Sequence, residues 1–193
     1  MIEKIEIKDA ILHWDKQFLN EDLAEEYFEY FHSKIKWQQT DIKIFGKVHQ
    51  TPRKEAYFAD KGKNYGYSGK RLDIQLWDKK VLEIRSKIEE LTNRKFNACL
   101  INLYENGMHS NGWHADNEKE LGENPVIASL SLGATRKFDL KNNQTKEKIR
   151  FFLNNGSLLI MDSGCQNYWK HQVPKEKKVT EPRINLTFRK IVE

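Results

Sequence analysis

The chain has 193 residues, of which 32% are charged and 38% hydrophobic, a balance that suits one folded domain with a heavily solvated surface. No apolar run approaches the roughly 20 residues of a membrane helix, and the amino terminus MIEKIEIKDA alternates charge with isoleucine instead of offering the apolar heart of a signal peptide. Cys99 and Cys165 make neither a disulfide framework nor a metal-binding spacing, so a reducing cytoplasm is the expected setting.

Lys and Arg outnumber Asp and Glu by 33 to 28, a net charge of +5. Basic side chains displace counterions from phosphates, so the excess favours polyanionic partners, nucleic acid first. It is also local. Lys43, Lys47, Arg53, Lys54, Lys61, Lys63, Lys70 and Arg71 fall in one segment opposed only by Glu55, Asp60 and Asp73.

In chain order, Asn20 reads as a helix N-cap, followed by Leu23, Tyr27, Tyr30 and Phe31 at helical spacing. A second helix is expected after Asp78, with Val81, Leu82, Arg85, Ile88 and Leu91 along one side. The intervening TDIKIFGKVHQTPRKEAYFADKGKNYGYSGK is rich in turn formers and aromatics and reads as hairpins and exposed loops. After residue 96 come short strands: ACLINLY, VIASLSLG, RKFDLK, IRFFL, GSLLIMD and RINLTFRKI. Helices first and antiparallel strands after them predict an α+β fold with a jelly-roll-like barrel carrying the site.

The last strand is the most informative. Side chains alternate across a strand, so Arg183, Asn185, Thr187 and Arg189 share one face, and Ile184, Leu186 and Phe188 the other. The polar face either meets water, as in an ordinary edge strand, or points into a barrel. In the second case two buried guanidiniums require anionic partners, and a small dicarboxylate meets that need through forked pairing. In INLYENG, Asn102 and Tyr104 likewise share one face, as structural core groups or as donors to a bound carboxylate.

SNGWHADNEKE places His114 and Asp116 two positions apart, and NYWKHQVP supplies His171 twelve residues ahead of Arg183. Two histidines and one carboxylate form the facial set used for non-haem Fe(II). Each element alone is weak; the order His-x-Asp, strands, His, arginine strand is what carries weight. Zinc can use the same ligands but gives no reason for arginines beside them. Trp113 and Trp169 read as packing residues.

With these residues in view, the chain resembles the AlkB family of Fe(II)/2-oxoglutarate dioxygenases, closest to its double-stranded-DNA-repair branch. The likeness runs from about Phe45 to Ile191 through FGKVHQTPRKEAYFADKG, YGYSG, INLYENG, HADNEKEL, PVIASLSLGATRKF, GSLLIMD and PRINLTFRKI. It implies one domain over 1–193: a double-stranded β-helix core at about 97–192, N-terminal helices, and a nucleotide-recognition lid at about 40–77. It further implies Fe(II) on His114, Asp116 and His171, with 2-oxoglutarate and O2 as cosubstrates. Asn102, Tyr104, Arg183, Thr187 and Arg189 would hold 2-oxoglutarate, with Asn185 near them, Arg183 on the distal carboxylate and Arg189 nearer the iron. Phe45 matches an aromatic finger that enters the duplex when a base is flipped out, with the wedge filling the gap. Tyr65, Tyr67 and Ser68 match the lid over the base, Asn117 and Glu118 line its pocket, and Arg53 is counted with the substrate-binding residues. LKNNQTKEKIR is shorter than the basic loop of the mammalian duplex-repair member.

The implied activity is oxidative demethylation of 1-methyladenine and 3-methylcytosine in single-stranded or duplex DNA, by a monomer, releasing formaldehyde, succinate and CO2. The same chemistry on RNA, a catalytically silent basic nucleic-acid-binding module and a sandwich with a structural zinc are the rival readings.

Overall fold

Alternation of side chains on the strands decides how this chain folds, and the computed structural model shows the outcome for residues 2–44, 47–62, 66–67, 70–71 and 73–192. A hairpin opens the chain, β1 (Glu3–Ile7) and β2 (Ala10–Asp15), followed by helix α1 (Glu21–Lys34). Two small hairpins, β3 (Asp41–Ile44) with β4 (Lys47–Gln50) and β6 (Gly66–Tyr67) with β7 (Lys70–Arg71), flank β5 (Lys54–Ala59). After β8 (Ile74–Gln75) and helix α2 (Lys79–Thr92) come β9 (Ala98–Tyr104) and β10 (Asn111–His114). Then follow β11 (Ile127–Gly133), β12 (Arg136–Asn142), β13 (Lys148–Leu153), β14 (Leu158–Met161), the short helix α3 (Cys165–Tyr168), β15 (Trp169–Val173) and β16 (Arg183–Arg189).

Eight strands form one sheet in the order β1-β2-β14-β11-β16-β9-β5-β8, and four form another in the order β10-β15-β12-β13. The two sheets share a core in which Leu100, Phe138, Leu140, Leu159 and Trp169 are buried. The opposite face of the large sheet is covered as well. Tyr27 and Phe31 of α1, with Val81, Ile84 and Ile88 of α2, join Ile101, Leu130, Ile184, Leu186 and Phe188 in a second core. A sheet buried on both faces explains why all seven residues of β9 and all seven of β16 are inaccessible. Each of those large apolar side chains contributes about 1.5–3 kcal/mol on leaving water. The helices start where expected, because the side chain of Asn20 accepts from Leu23 N and that of Asp78 from Lys80 N and Val81 N. No helix among the described residues is long and apolar enough to cross a membrane.

The α+β double-stranded β-helix is therefore as expected, and β16 is a central strand between β11 and β9, not an edge. Three expectations need correction. Lys54–Ala59 is no exposed loop: it pairs with β9 and is buried from Glu55 onward, because its outward face is covered where an isolated KEAYFA would show only mixed polarity. The chain begins with a hairpin, not a helix, and β2 joins the large sheet through β14. Trp169 packs in the core, but Trp113 lies on the surface with Lys141 Nζ 5.8 Å from its ring. The basic run is also partly neutralised, since Arg53 pairs with Glu55 and Lys54 with Glu105.

The two faces of β16 make separate predictions. Leu186→Ala, on the helix side, removes a fully buried side chain and should cost about 2–5 kcal/mol of stability, read as a lowered melting temperature. Thr187→Val, on the sheet-to-sheet side, keeps the volume and removes only a buried hydroxyl that donates to Asn185 Oδ1, so it should cost less, about 1–3 kcal/mol. The reverse pattern would mean that the faces are exchanged.

Candidate active site

His114 and His171 meet because β10 and β15 are neighbours in the small sheet and these two residues are register partners. Their ring centroids are 4.2 Å apart at 63°. Asp116 lies two positions beyond His114, and its carboxylate comes to 3.9 Å from His114 Nε2. One ligand atom from each of the three lies within 4.8 Å of the others.

The surroundings prepare these groups for a cation. Gly112 O, which can only accept, lies 2.7 Å from His114 Nδ1, so Nδ1 carries the proton and Nε2 offers its lone pair to the site. Burial lowers the pKa of His114, with Arg53 and Arg189 adding to it against Asp116 and Gly112 O. Burial, then His114 and Arg189, bring His171 to about 3 despite Asp116. Both imidazoles are thus neutral at neutral pH, the form that binds metal. For Asp116 burial acts upward, but Arg189 and the two histidines outweigh it and hold the carboxyl at about 2. Asp116 Oδ2 accepts from Arg189 Nη2 at 3.0 Å, while Oδ1 is buried without a hydrogen-bond partner. A divalent ion supplies what Oδ1 lacks, so the residues fit one.

Behind the triad, the polar face of β16 meets polar residues of its neighbours. Arg183 pairs in register with Tyr104, Asn185 with Asn102 and Thr187 with Ser129. Asn185 Nδ2 donates to Ser129 Oγ at 2.8 Å, and Thr187 Oγ1 to Asn185 Oδ1 at 3.1 Å. Arg183 leans toward the middle of the strand, donating from Nη2 to Ser131 Oγ at 2.8 Å. Its Nε and Nη1 are buried with no hydrogen bond. Burial, opposed by Tyr104, lowers its pKa to about 10, so it is cationic at neutral pH. Six residues along a strand span about 20 Å, so Arg189, drawn to Asp116, and Arg183, leaning inward, stand at opposite ends of the polar face. The donors of Arg183 suit a carboxylate, and a small cavity of about 30 Å3 opens between the sheets beside the triad, lined by Asn102, Tyr104, Asn185 and Thr187 among others.

Sequence reasoning missed several members of this site. Ser129 and Ser131 alternate with leucines in ASLSLG, and the alternation that exposed the polar face of β16 runs through them too. Asn111 places Nδ2 3.2 Å from His114 Nε2; nothing in NGWH marks it. Gln166, 1% exposed on α3, accepts from Asp116 N at 2.9 Å and donates from Nε2 toward Met161 Sδ at 3.5 Å. The unforeseen hairpin has its purpose here. Cys165 Sγ bonds to Ile11 O and Trp169 Nε1 to Lys8 O, and a Cβ on Gly164 would fall 1.9 Å from Asp9 O, so α3 is seated closely on the β1–β2 hairpin. Gln166→Ala should therefore loosen the Asp116 peptide and weaken Fe(II) or Mn(II) binding by about 10–100-fold, measured by anaerobic titration; unchanged metal affinity would reduce Gln166 to packing.

Of the expected substrate residues, Arg53 is buried in the wall of the same cavity. Asn117 is exposed beside Asp116, and Glu118, half-buried, leads into the 3-10 turn Lys119–Leu121. Phe45, Tyr65 and Ser68 lie outside the described residues, and for Tyr67 only the backbone, in β6, is described.

A double-stranded β-helix that sets two neutral imidazoles and a carboxylate beside buried, unsatisfied guanidinium donors defines an Fe(II)/2-oxoglutarate-dependent dioxygenase. The sequence pattern described as the 2OG-Fe(II) oxygenase superfamily matches residues 12–189, earlier than the start at Phe45 expected from the motifs and including most of β2 and all of α1. Mouse DNA oxidative demethylase ALKBH2 is 37% identical over 176 residues, 87% of this chain and 72% of its own. Bovine alpha-ketoglutarate-dependent dioxygenase alkB homolog 3 is 36% identical over 180 residues, 87% of this chain and 62% of its own. In fold, the solved structure of OsALKBH1 superposes with a TM-score of 0.63 at 16% identity, over 97% of this chain and 100% of that one. The chain belongs to the 2OG-Fe(II) oxygenase superfamily and, within it, to the AlkB family.

Proposed function

We propose that the protein is a DNA repair dioxygenase that reverses base alkylation directly, oxidising the N-methyl groups of 1-methyladenine and 3-methylcytosine and releasing formaldehyde, succinate and CO2. The convergence of His114, Asp116 and His171 beside the arginine face of β16 carries this reading, and the DNA demethylase named among its relatives supports the choice of substrate.

When bound, iron with 2-oxoglutarate and O2 supplies the oxidising power; the protein's own part is positioning. Asp116, His114 and His171 would hold the metal. Arg183 would pair with the distal carboxylate of 2-oxoglutarate, Asn102, Tyr104, Asn185 and Thr187 would line the molecule, and Arg189 secures Asp116. Residues 1–193 act as one unit in which 40–77 forms the lid. There Tyr65, Tyr67 and Ser68 cover a flipped base, Tyr67 and His114 sandwich it, and Asn117, Glu118 and Arg53 border it. Alkylation of the Watson–Crick edge weakens pairing and lowers the cost of flipping.

Formaldehyde and succinate release from methylated single-stranded DNA, duplex DNA and RNA, with and without 2-oxoglutarate, tests the proposal. Equimolar products from DNA, only with 2-oxoglutarate, are expected. No release from any methylated DNA would refute it, and release from RNA alone would transfer the chemistry to that polymer. Phe45→Ala should reduce repair of duplex far more than of single strands; equal losses would reject the finger.

A further inference from the structure

Arg53 is 6% exposed on the wall of the cavity that holds the triad. Its Nε donates to Asn102 Oδ1 at 2.8 Å and its Nη1 to Asn111 Oδ1 at 3.3 Å. Its Nη2 lies 2.7 Å from Glu55 Oε1. Glu55, 3% exposed, is fixed from behind: its second oxygen accepts from Thr40 Oγ1 at 3.2 Å, and its backbone is bridged to Gln38. The wall of the cavity therefore contains a buried ion pair, one of whose partners faces the space beside His114.

Such a pair is poor evidence of a need for stability, because desolvation offsets most of the attraction. What the cavity admits gives a better reason for the carboxylate. A methyl group on N1 of adenine or N3 of cytosine makes the ring a cation, whereas one on N1 of guanine or N3 of thymine leaves the ring neutral. A lone guanidinium on the wall repels the first pair and is indifferent to the second. With Glu55 against it, that part of the wall carries no net charge.

We propose that Glu55 is a specificity-determining residue, which cancels the charge of Arg53 and so lets the cavity accept cationic alkylated bases. The inference rests on the repair reading above and names the charge class of its substrate. Glu55 acts through Arg53 and does not itself touch the base.

The test is anaerobic fluorescence anisotropy of protein loaded with Fe(II) and 2-oxoglutarate. The probes are oligonucleotides carrying one 1-methyladenine, one 1-methylguanine or no lesion at the same position. Glu55→Gln should reduce the preference for 1-methyladenine over 1-methylguanine by about tenfold or more, the effect that one uncompensated unit charge still has at about 10 Å with an effective dielectric near 20. Glu55→Asp, which keeps a negative charge beside Arg53, should retain the preference of the unaltered protein. An unchanged preference in Glu55→Gln overturns the proposal, and so does an equal reduction in both variants, which is what a broken brace produces. Equal affinity of the unaltered protein for all three probes overturns it as well. Formaldehyde release from the 1-methyladenine probe, measured alongside, separates the two readings: its absence refutes repair, while its presence with an unchanged preference refutes the role of Glu55 alone.

Discussion

Asp116→Ala is expected to abolish formaldehyde release while leaving much of the affinity for DNA. The carboxylate is the one anionic member of the triad, and its Oδ1 is buried without a hydrogen bond from the described residues. Its loss removes the proposed metal ligand and also takes from Arg189 a partner at 3.0 Å in a site where both are buried. Breaking a buried pair from one side costs about 3–5 kcal/mol, so the variant should melt earlier as well. Asp116→Asn separates the two effects, since it keeps the shape and a hydrogen-bonding oxygen but not the charge; it should recover more of the melting temperature than of the turnover. DNA affinity is set chiefly by phosphate contacts away from the metal, and anisotropy should show it largely retained. Unchanged turnover in Asp116→Ala would exclude this site.

Arg183→Ala should raise the 2-oxoglutarate requirement by about 100–1000-fold, the 3–5 kcal/mol of a buried charge pair broken from one side, less some relief by water. The guanidinium is fully buried and keeps its charge, and among the described residues its Nε and Nη1 have no hydrogen bond. Metal binding should change little, because Arg189, not Arg183, contacts Asp116. Arg183→Lys should recover only part of the loss, for an ammonium matches the charge but not the fork. Initial rates of succinate formation against 2-oxoglutarate concentration provide the measurement. An unaltered KM would mean that the cosubstrate is held elsewhere.

How far the sequence reveals such a molecule depends on whether a signal is local. Strands β9, β11, β12 and β16 were legible because alternation is written into each of them, and Arg183 to Arg189 announced a polar face without any partner in view. The helices were legible from Asn20 and Asp78, whose side chains cap them. What stayed hidden is what pairing creates. NGWH becomes a strand only by lying against β15, and that pairing is what aligns His114 with His171. KEAYFA is buried only because other elements cover it. Gln166 looks like any polar residue of a short helix until the β1–β2 hairpin seats that helix against Asp116. The three candidate ligands could be named from their order; the groups beside them could not, since Asn111 and Gln166 act through contacts that no spacing records.

The central claim is that one ferrous ion is held by three side chains distant along the backbone. Anaerobic equilibrium dialysis with Fe(II) tests it most directly: one ion per chain is predicted for the unaltered protein, and none for His171→Ala or for His114→Ala/Asp116→Ala. Full retention of iron by either variant would contradict the account.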